Sequence, residues 1–207
     1  RQKRRKRTAE EAREEALVAA RDLLLSRGPA GVTVSNVGTE IGMSHTNVIH
    51  HFGSASELHS ALMGSMINDL TGAIDKMVEH LRTDQAAVTQ VVDQVFDAFG
   101  EGGAGQLAAW LALAREFDHL EPVRQAITDL VAAVRERMGI DIQDEDKVAS
   151  IVFLIAICAF GDAVIGDHLR DMLKLEPPAG RQLMYLILPM LIPYYTAMIA
   201  QRDSSNT

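Results

Sequence analysis

The chain has 207 residues, of which 47% are hydrophobic and 5% aromatic, and its formal net charge is −8. This apolar content is sufficient for a packed core and excludes a wholly disordered protein. The negative net charge excludes a protein that binds nucleic acid over its whole surface. Residues 1–60 carry a net charge of +2 and the remainder a net charge of −10. Only the N-terminal end therefore favours contact with a polyanion.

No stretch alternates polar and apolar residues with a period of two, whereas apolar residues recur at helical spacing, so we predict an all-α protein of about nine helices. A basic arm at residues 1–7 precedes them. The first three predicted helices run from Thr8 to the Gly28-Pro29 stop, from an N-cap at Thr33 or Ser35 to Ile41, and from Ser44 to His51. The next three run from Ser54 to about Arg82, from Thr83 to Phe99, and from Gln106 to about Phe117. The last three run from Pro122 to Gly139, from about Glu145 to Leu173, and from about Ala179 to Gln201.

The second and third predicted helices form a pair joined by a tight turn at Gly42. Val37 and Ile41 lie four residues apart on the first, as do Val48 and Phe52 on the second. Helices this short cannot bury their apolar faces alone, so we expect them to pack on each other and on a neighbour. A pair of this size is typical of the helix-turn-helix, whose second helix enters the DNA major groove.

This segment resembles the TetR family of transcriptional regulators over about residues 14–62. The stretch from His51-Phe52 to Glu57-Leu58 follows the turn at the family's spacing. The matching positions are Val37, Gly38, Gly42, Ser44, His51, Phe52, Ser54, Glu57 and Leu58.

The resemblance implies a three-helix helix-turn-helix domain at residues 1–53, including the basic arm, and a helical effector-binding and dimerisation domain at 54–207. It also implies a dimeric DNA-binding regulator, by family habit a repressor, that a small effector releases from its operator. Two positions depart from the family pattern: Ile49 stands where a Tyr is common, and Ala55 where a Lys is common. Both usual residues reach DNA phosphates, so their absence is expected to weaken binding.

The DNA contacts are predicted on the third helix and the arm. None of the exposed third-helix residues is Arg or Lys, so base recognition is expected to use neutral groups, such as Asn47 on adenine and Thr46 on a thymine methyl. The resemblance implies that His51 positions the helix and contacts a phosphate. The full predicted set is Arg4, Arg5, Lys6, Arg7, Thr33, Ser44, His45, Thr46, Asn47, His50 and His51.

The resemblance further implies an effector cavity between the fourth and eighth helices. Met, Phe and Trp side chains suit a largely apolar ligand. The predicted lining is Met66, Leu70, Phe96, Phe99, Trp110, Leu113, Phe117 and Phe153. Polar candidates to orient the ligand, which the sequence does not rank, are Gln106, Arg115, His119 and Asp162.

The last two predicted helices carry more apolar surface than one chain is expected to cover. Their small residues allow close helix approach, so we predict that they form half of a four-helix dimer interface. A two-fold dimer implies an inverted-repeat operator with half-sites about 34–36 Å apart. The predicted interface residues are Ala156, Phe160, Ala163, Ile187, Met190, Leu191 and Tyr194.

Other functions find less support in the residues. No nucleophile elbow, zinc helix or nucleotide loop is present, so we expect neither catalysis, a cofactor nor a metal site. The single Cys158 suits a cytoplasmic protein. The apolar stretch at 183–200 approaches the length of a bilayer span, but Pro189 and Pro193 interrupt it and no membrane segment is expected. The alternative function is a helical ligand- or protein-binding dimer that has lost specific DNA binding.

Overall fold

The computed structural model describes residues 8–78, 85–115, 121–138, 145–176 and 178–191. Within these ranges the protein is helical and contains no strand, which confirms the predicted all-α class. The predicted helix ends at Arg82, Phe117, Gly139 and Gln201 lie outside the described residues.

Nine helices are present in the described ranges. The eighth contains a π-helical segment and continues beyond it, and a short 3-10 turn, Pro29–Gly31, links the first two. The helices are α1 (Ala9–Arg27), α2 (Val34–Ile41), α3 (His45–Phe52), α4 (Ala55–Val78), α5 (Gln85–Phe99), α6 (Ala104–Ala114), α7 (Glu121–Met138), α8 (Glu145–Gly161, then the π segment Asp162–Gly166, then Asp167–Leu173) and α9 (179–191).

Side-chain caps begin the first three helices, at positions where the sequence analysis places their starts. Thr8 accepts the N–H of Glu11, whose carboxylate accepts the N–H of Thr8 in return. Thr33 caps α2, so the alternative cap at Ser35 is not used. Ser44 caps α3. Each cap satisfies a backbone N–H that has no partner within its helix, which sets where the helix begins.

An N-terminal core joins α1–α3 to the first half of α4 and to α6. Val37 and Val48 are fully buried in it, together with Leu62 from α4 and Leu107 from α6. The core therefore continues across residue 53, the predicted end of the DNA-binding domain. Its remaining buried members include Ala16, Ala20, Leu23, Leu24, Val32, Val34, Ile41, Phe52, Leu58, Met63, Met66, Ala104 and Leu111.

A second core lies beyond it, between the later part of α4 and helices α5, α7, α8 and α9. Its buried residues are Ile74, Val91, Val92, Val95, Phe96, Leu130, Ile155, Ala159, Met184 and Leu188. Since α4 contributes buried residues to both cores, it connects the N-terminal helices to the rest of the protein.

The boundaries of α6 differ from the prediction. The helix begins at Ala104, two residues before the predicted Gln106, because the N–H of Leu107 bonds to the carbonyl of Gly103, which takes a φ of 81°. It ends at Ala114, since Arg115 adopts the left-handed conformation with a φ of 55°. Glycine adopts positive φ without the steric penalty of a side chain.

A polar cluster joins α5 to α9 at the edge of the second core. Arg181 donates to Asp97 at 2.5 Å and to Asp93 at 3.3 Å, and its guanidinium lies 5.6 Å from the centre of the Phe96 ring. The Tyr185 hydroxyl also donates to Asp93. Burial, followed by the hydrogen bond to the Asp93 carboxylate, raises the pKa of Tyr185 to about 12.

Replacing Gly105 with Ala tests the close approach of α6 to the π segment. A Cβ at this position would lie 2.7 Å from the Cβ of Ala163 and 2.8 Å from the carbonyl oxygen of Phe99. We expect Gly105→Ala to destabilise the protein by about 1–3 kcal/mol, the usual cost of overpacking.

Gly72→Ala is the matched control, because a Cβ at this position would meet no atom within 4 Å outside its own stretch of helix. In this exposed helical position alanine should stabilise by about 0.5–1 kcal/mol. Urea denaturation followed by circular dichroism measures both, and equal effects would contradict this packing.

Tyr185→Phe tests the polar cluster through its pH dependence. The folded-state pKa of Tyr185, about 12, lies above the ordinary value of 10. The stability that the neutral phenol contributes is therefore complete below pH 10 and is lost as the pH rises toward 12. We expect the difference in unfolding free energy between wild type and Tyr185→Phe to be largest at pH 8 and to shrink steadily above pH 10. A difference that stays constant across this range, measured by urea denaturation, would show that the bond to Asp93 is not formed.

Candidate nucleic-acid interface and interior cavities

One side of α3 is polar and open to solvent, and the other is packed into the N-terminal core. Val48 and Phe52 face the core, with exposed fractions of 0% and 6%. His51 is half-buried beside His50, and their ring centres are 5.9 Å apart. The predicted base-contacting residues, all exposed, are Ser44, His45, Thr46, Asn47 and His50. The structure thus leaves all five accessible, four of them at the N-terminal cap and first turn of α3 and His50 one turn further along.

The C-terminal end of α3 is held by Arg13, a residue that the sequence analysis missed. Its guanidinium donates to the carbonyl of His51 at 2.7 Å and lies 4.5 Å from the centre of the Phe52 ring. A cation at a helix C-terminus is favoured by the helix dipole. Arg13 therefore fixes the orientation of α3 from α1.

The two departures from the family pattern lie in different environments. Ile49 is half-buried and packs against the N-terminal core. Ala55 is exposed at the first position of α4. Neither side chain can donate a hydrogen bond to a phosphate, so neither replaces the contact that the Tyr or Lys would make.

Thr33 is exposed at the start of α2, where its hydroxyl oxygen accepts the N–H of Asn36 at 3.1 Å. The hydroxyl proton remains able to donate to a phosphate oxygen. The predicted arm residues Arg4, Arg5, Lys6 and Arg7 lie outside the described residues.

Two cavities lie behind the helix-turn-helix. The larger has a volume of about 300 Å³. It is enclosed by α4, α5, α7, α8 and α9, and every lining side chain is apolar. The lining consists of Ile67, Leu70, Ile74, Val91, Val95, Phe99, Ile127, Leu130, Val131, Val134, Val148, Ala149, Ile151, Val152, Phe153, Ile155, Ala156 and Leu188.

A smaller cavity of about 230 Å³ lies between α4, α5, α6 and α7. Its lining is again entirely apolar and includes two methionines. The lining residues are Met63, Met66, Ile67, Leu70, Ala98, Phe99, Ala104, Ala108, Leu111, Ala112, Val123 and Ile127.

The predicted effector residues agree with these linings only in part. Leu70 and Phe99 line both cavities, Phe153 the larger, and Met66 the smaller. Phe96 lines neither and is buried in the second core. Trp110 and Leu113 also line neither, because they lie on the outer side of α6 with exposed fractions of 39% and 86%. Phe117 lies outside the described residues.

Of the polar candidates for orienting a ligand, the three that the structure describes line neither cavity. Asp162 instead accepts a hydrogen bond from Arg170, which also pairs with Asp167 at 2.5 Å. Gln106 and Arg115 are exposed, and His119 lies outside the described residues. Among the residues that the structure describes, no group of three or more His, Cys, Asp or Glu is arranged to hold a metal ion.

The outer faces of α8 and α9 expose large apolar side chains. These include Ile157, Ile165, Leu169, Met172, Leu183, Leu186 and Met190. Within the described part of the chain, one helix, Asp146–Leu173, is long and apolar enough to cross a membrane, with a mean hydropathy of 2.5 in its most apolar window. Contiguous apolar surface of this kind marks a contact site.

The predicted dimer residues are distributed unevenly on this surface. Ile187 and Met190 are exposed, whereas Ala156, Phe160 and Leu191 are half-buried. Ala163 packs within the chain, against Gly105 of α6, so its role as an interface residue loses support. Tyr194 lies outside the described residues.

Comparison with known proteins relates both halves of the chain to regulators. Residues 16–62 match the family model of the bacterial regulatory proteins, tetR family. The chain is 26% identical over 179 residues to the HTH-type transcriptional regulator BetI of Rhizobium meliloti (strain 1021), a match that covers 81% of this chain and 82% of BetI.

Solved structures share the fold at lower sequence identity. A TetR-family regulator from Streptomyces coelicolor aligns with a TM-score of 0.61 at 18% identity, over 96% of this chain and 85% of its own. Another from a Rhodococcus species aligns with a TM-score of 0.60 at 15% identity, over 88% and 98%. Residues 16–62 thus match the helix-turn-helix segment of the TetR family, the chain as a whole is similar to the regulator BetI, and its fold is shared by solved TetR-family regulators.

Proposed function

We propose that the protein is a dimeric transcriptional repressor released from an inverted-repeat operator by a small, largely apolar effector. The observation that carries this proposal is the exposed polar surface of α3, held on a packed helix-turn-helix whose core continues into the cavity walls. Residues 1–53 would bind DNA, and residues 54–207 would bind the effector and form the dimer. In this role the protein acts in the cytoplasm as a regulator rather than as an enzyme.

Base recognition is assigned to α3. Asn47 can pair with both the N6 and N7 positions of adenine, and Thr46 can contact the methyl group of thymine. His45 and His50 can donate to guanine N7 or O6. The Ser44 oxygen accepts the N–H of Asn47, and its hydroxyl proton remains able to donate to a base or a phosphate.

Affinity is assigned to phosphate contacts. The arm at residues 1–7 carries six Lys or Arg residues, enough to offset the missing Tyr and Lys at positions 49 and 55. Thr33 would add a phosphate contact at the start of α2, and His51 would add one at the end of α3. Each neutralised phosphate releases counterions, so binding should weaken steeply with salt.

Dimerisation is assigned to the exposed apolar surface of α8 and α9. Two helices from each of two chains would form a four-helix bundle and cover side chains such as Leu186 and Met190, with exposed fractions of 68% and 74%. The same pairing would cover the apolar side of Asp146–Leu173, so no lipid is needed to shield it.

A second candidate function is a helical dimer that binds a ligand or protein but no specific DNA. Ile49 and Ala55 favour it, since both lack the phosphate-binding groups that the family commonly has there.

Selection from a random oligonucleotide pool discriminates the two functions. The repressor proposal expects an enriched inverted repeat whose binding constant falls steeply with salt, by a log–log slope of about −0.9 per contacted phosphate. Asn47→Ala should lose about 1–3 kcal/mol of discrimination at a single base pair. Asn68→Ala, the same change at an exposed site on α4, is the control and should bind like wild type. A pool without any enriched sequence would favour the second function.

Sedimentation equilibrium at micromolar concentration tests the dimer. Leu186→Glu places a charge in the proposed interface, and we expect it to yield monomers because a buried unpaired charge is costly. Leu113→Glu is the matched control: this leucine is 86% exposed on α6, away from the proposed interface. It should remain dimeric. A monomeric wild type, or equal behaviour of the two variants, would contradict the assignment.

A further inference from the structure

The two cavities are neighbours that share one wall. Ile67 and Leu70 of α4, Phe99 of α5 and Ile127 of α7 line both of them. We name these four side chains the partition. All four residues of the partition carry apolar side chains that can change rotamer.

The chemistry of both cavities excludes a polar ligand group. The lining side chains are aliphatic, aromatic or methionine throughout. A buried hydroxyl or charge would find no partner there, and its burial would be costly. Each cavity alone exceeds the about 150 Å³ that accommodates a benzene molecule in an apolar protein interior.

The larger cavity reaches the surface at Phe153 of α8, which lines only this cavity and is 67% exposed. A ligand can therefore enter with its apolar end first and leave a polar end in water at this mouth.

The two cavities adjoin different cores. Ile74, Val95 and Leu188 of the larger cavity belong to the second core. Met63, Met66 and Leu111 of the smaller cavity belong to the N-terminal core, in which α1–α3 are packed. Buried members of the core that holds α3 therefore line only the smaller cavity, and the larger cavity adjoins that core only through the partly buried Ile67 of the partition.

We propose that the two cavities are one two-part site for a linear aliphatic chain, and that only a chain long enough to pass the partition acts as an effector. This inference rests on the proposed function. An aliphatic chain is the narrowest apolar ligand, so it can pass between the four partition side chains. Its polar end stays at the mouth near Phe153, and its length decides whether it reaches Met63 and Met66.

Chain length then separates binding from release. A short chain fills the larger cavity, where it contacts the second core and reaches the N-terminal core only through Ile67. A long chain also displaces side chains of the N-terminal core. Its affinity for the DNA-bound arrangement of the protein therefore differs from its affinity for the released arrangement. Such a difference is required of any ligand that shifts the equilibrium.

Calorimetric titration of the full-length protein with 1-alkanols of increasing length tests the two-part site. Each methylene that enters the larger cavity should tighten the Kd about fourfold, the equivalent of about 0.8 kcal/mol per methylene. We expect a plateau when this cavity is full, and a second rise once the chain passes the partition. A smooth rise without a plateau, or a single rise that ends in a permanent plateau, would overturn the proposal.

Two matched Ala→Leu variants assign each rise to a cavity. Ala108 lines only the smaller cavity and Ala149 only the larger. Ala108→Leu should abolish the second rise and leave the Kd of short alkanols unchanged, whereas Ala149→Leu should weaken alkanols of every length. Equal effects of the two variants would overturn the assignment. If a variant fails to fold, the wild-type alkanol series still tests the two-part site.

Fluorescence anisotropy of a labelled operator completes the test. Alkanols beyond the plateau should release the DNA, and shorter ones should bind without releasing it; release by short alkanols at saturation would overturn the proposal. If no operator is found, the proposed function fails, while the two-step dependence of the Kd on chain length still supports or refutes the two-part site.

Discussion

Burial of the apolar faces of α2 and α3 is the constraint on which the rest of the structure depends. Each helix has eight residues, too few to be stable in isolation. Val37 and Val48 are buried only because α1, α4 and α6 complete the N-terminal core around them. α3 is consequently not supported by α1 and α2 alone. Helices that line the two cavities also hold it in place.

This shared packing gives a physical basis for regulation. Met63 and Met66 contribute to the N-terminal core and to the wall of the smaller cavity. A ligand that changes their packing changes the energy of the arrangement in which α3 is held. Coupling between sites of this kind typically amounts to about 1–3 kcal/mol, enough for a 5–150-fold change in DNA affinity. Arg13 adds a second constraint, since it ties α3 directly to α1.

Local signals made the N-terminal half predictable. The starts of the first three helices and the Gly42 turn depend on neighbouring residues only. The sequence analysis placed those starts at Thr8, at Thr33 or Ser35, and at Ser44, and the structure has caps at Thr8, Thr33 and Ser44. The cavities depend on which side of a helix meets which neighbour. Because α6 is apolar on all sides, periodicity could not show that Leu107 faces inward and Trp110 outward. Arg13 bonds to a carbonyl 38 positions away, and no local pattern signals such a contact.

Native-state hydrogen exchange tests most directly whether α2, α3 and α6 form one cooperative unit. Amides in such a unit exchange through a common opening and report the same free energy. The account predicts equal opening free energies for the central amides of α2, α3 and α6, such as those of Val48 and Leu111. If α2 and α3 open at much lower free energy while α6 stays protected, the N-terminal helices are held independently of the cavity walls, and the account is wrong.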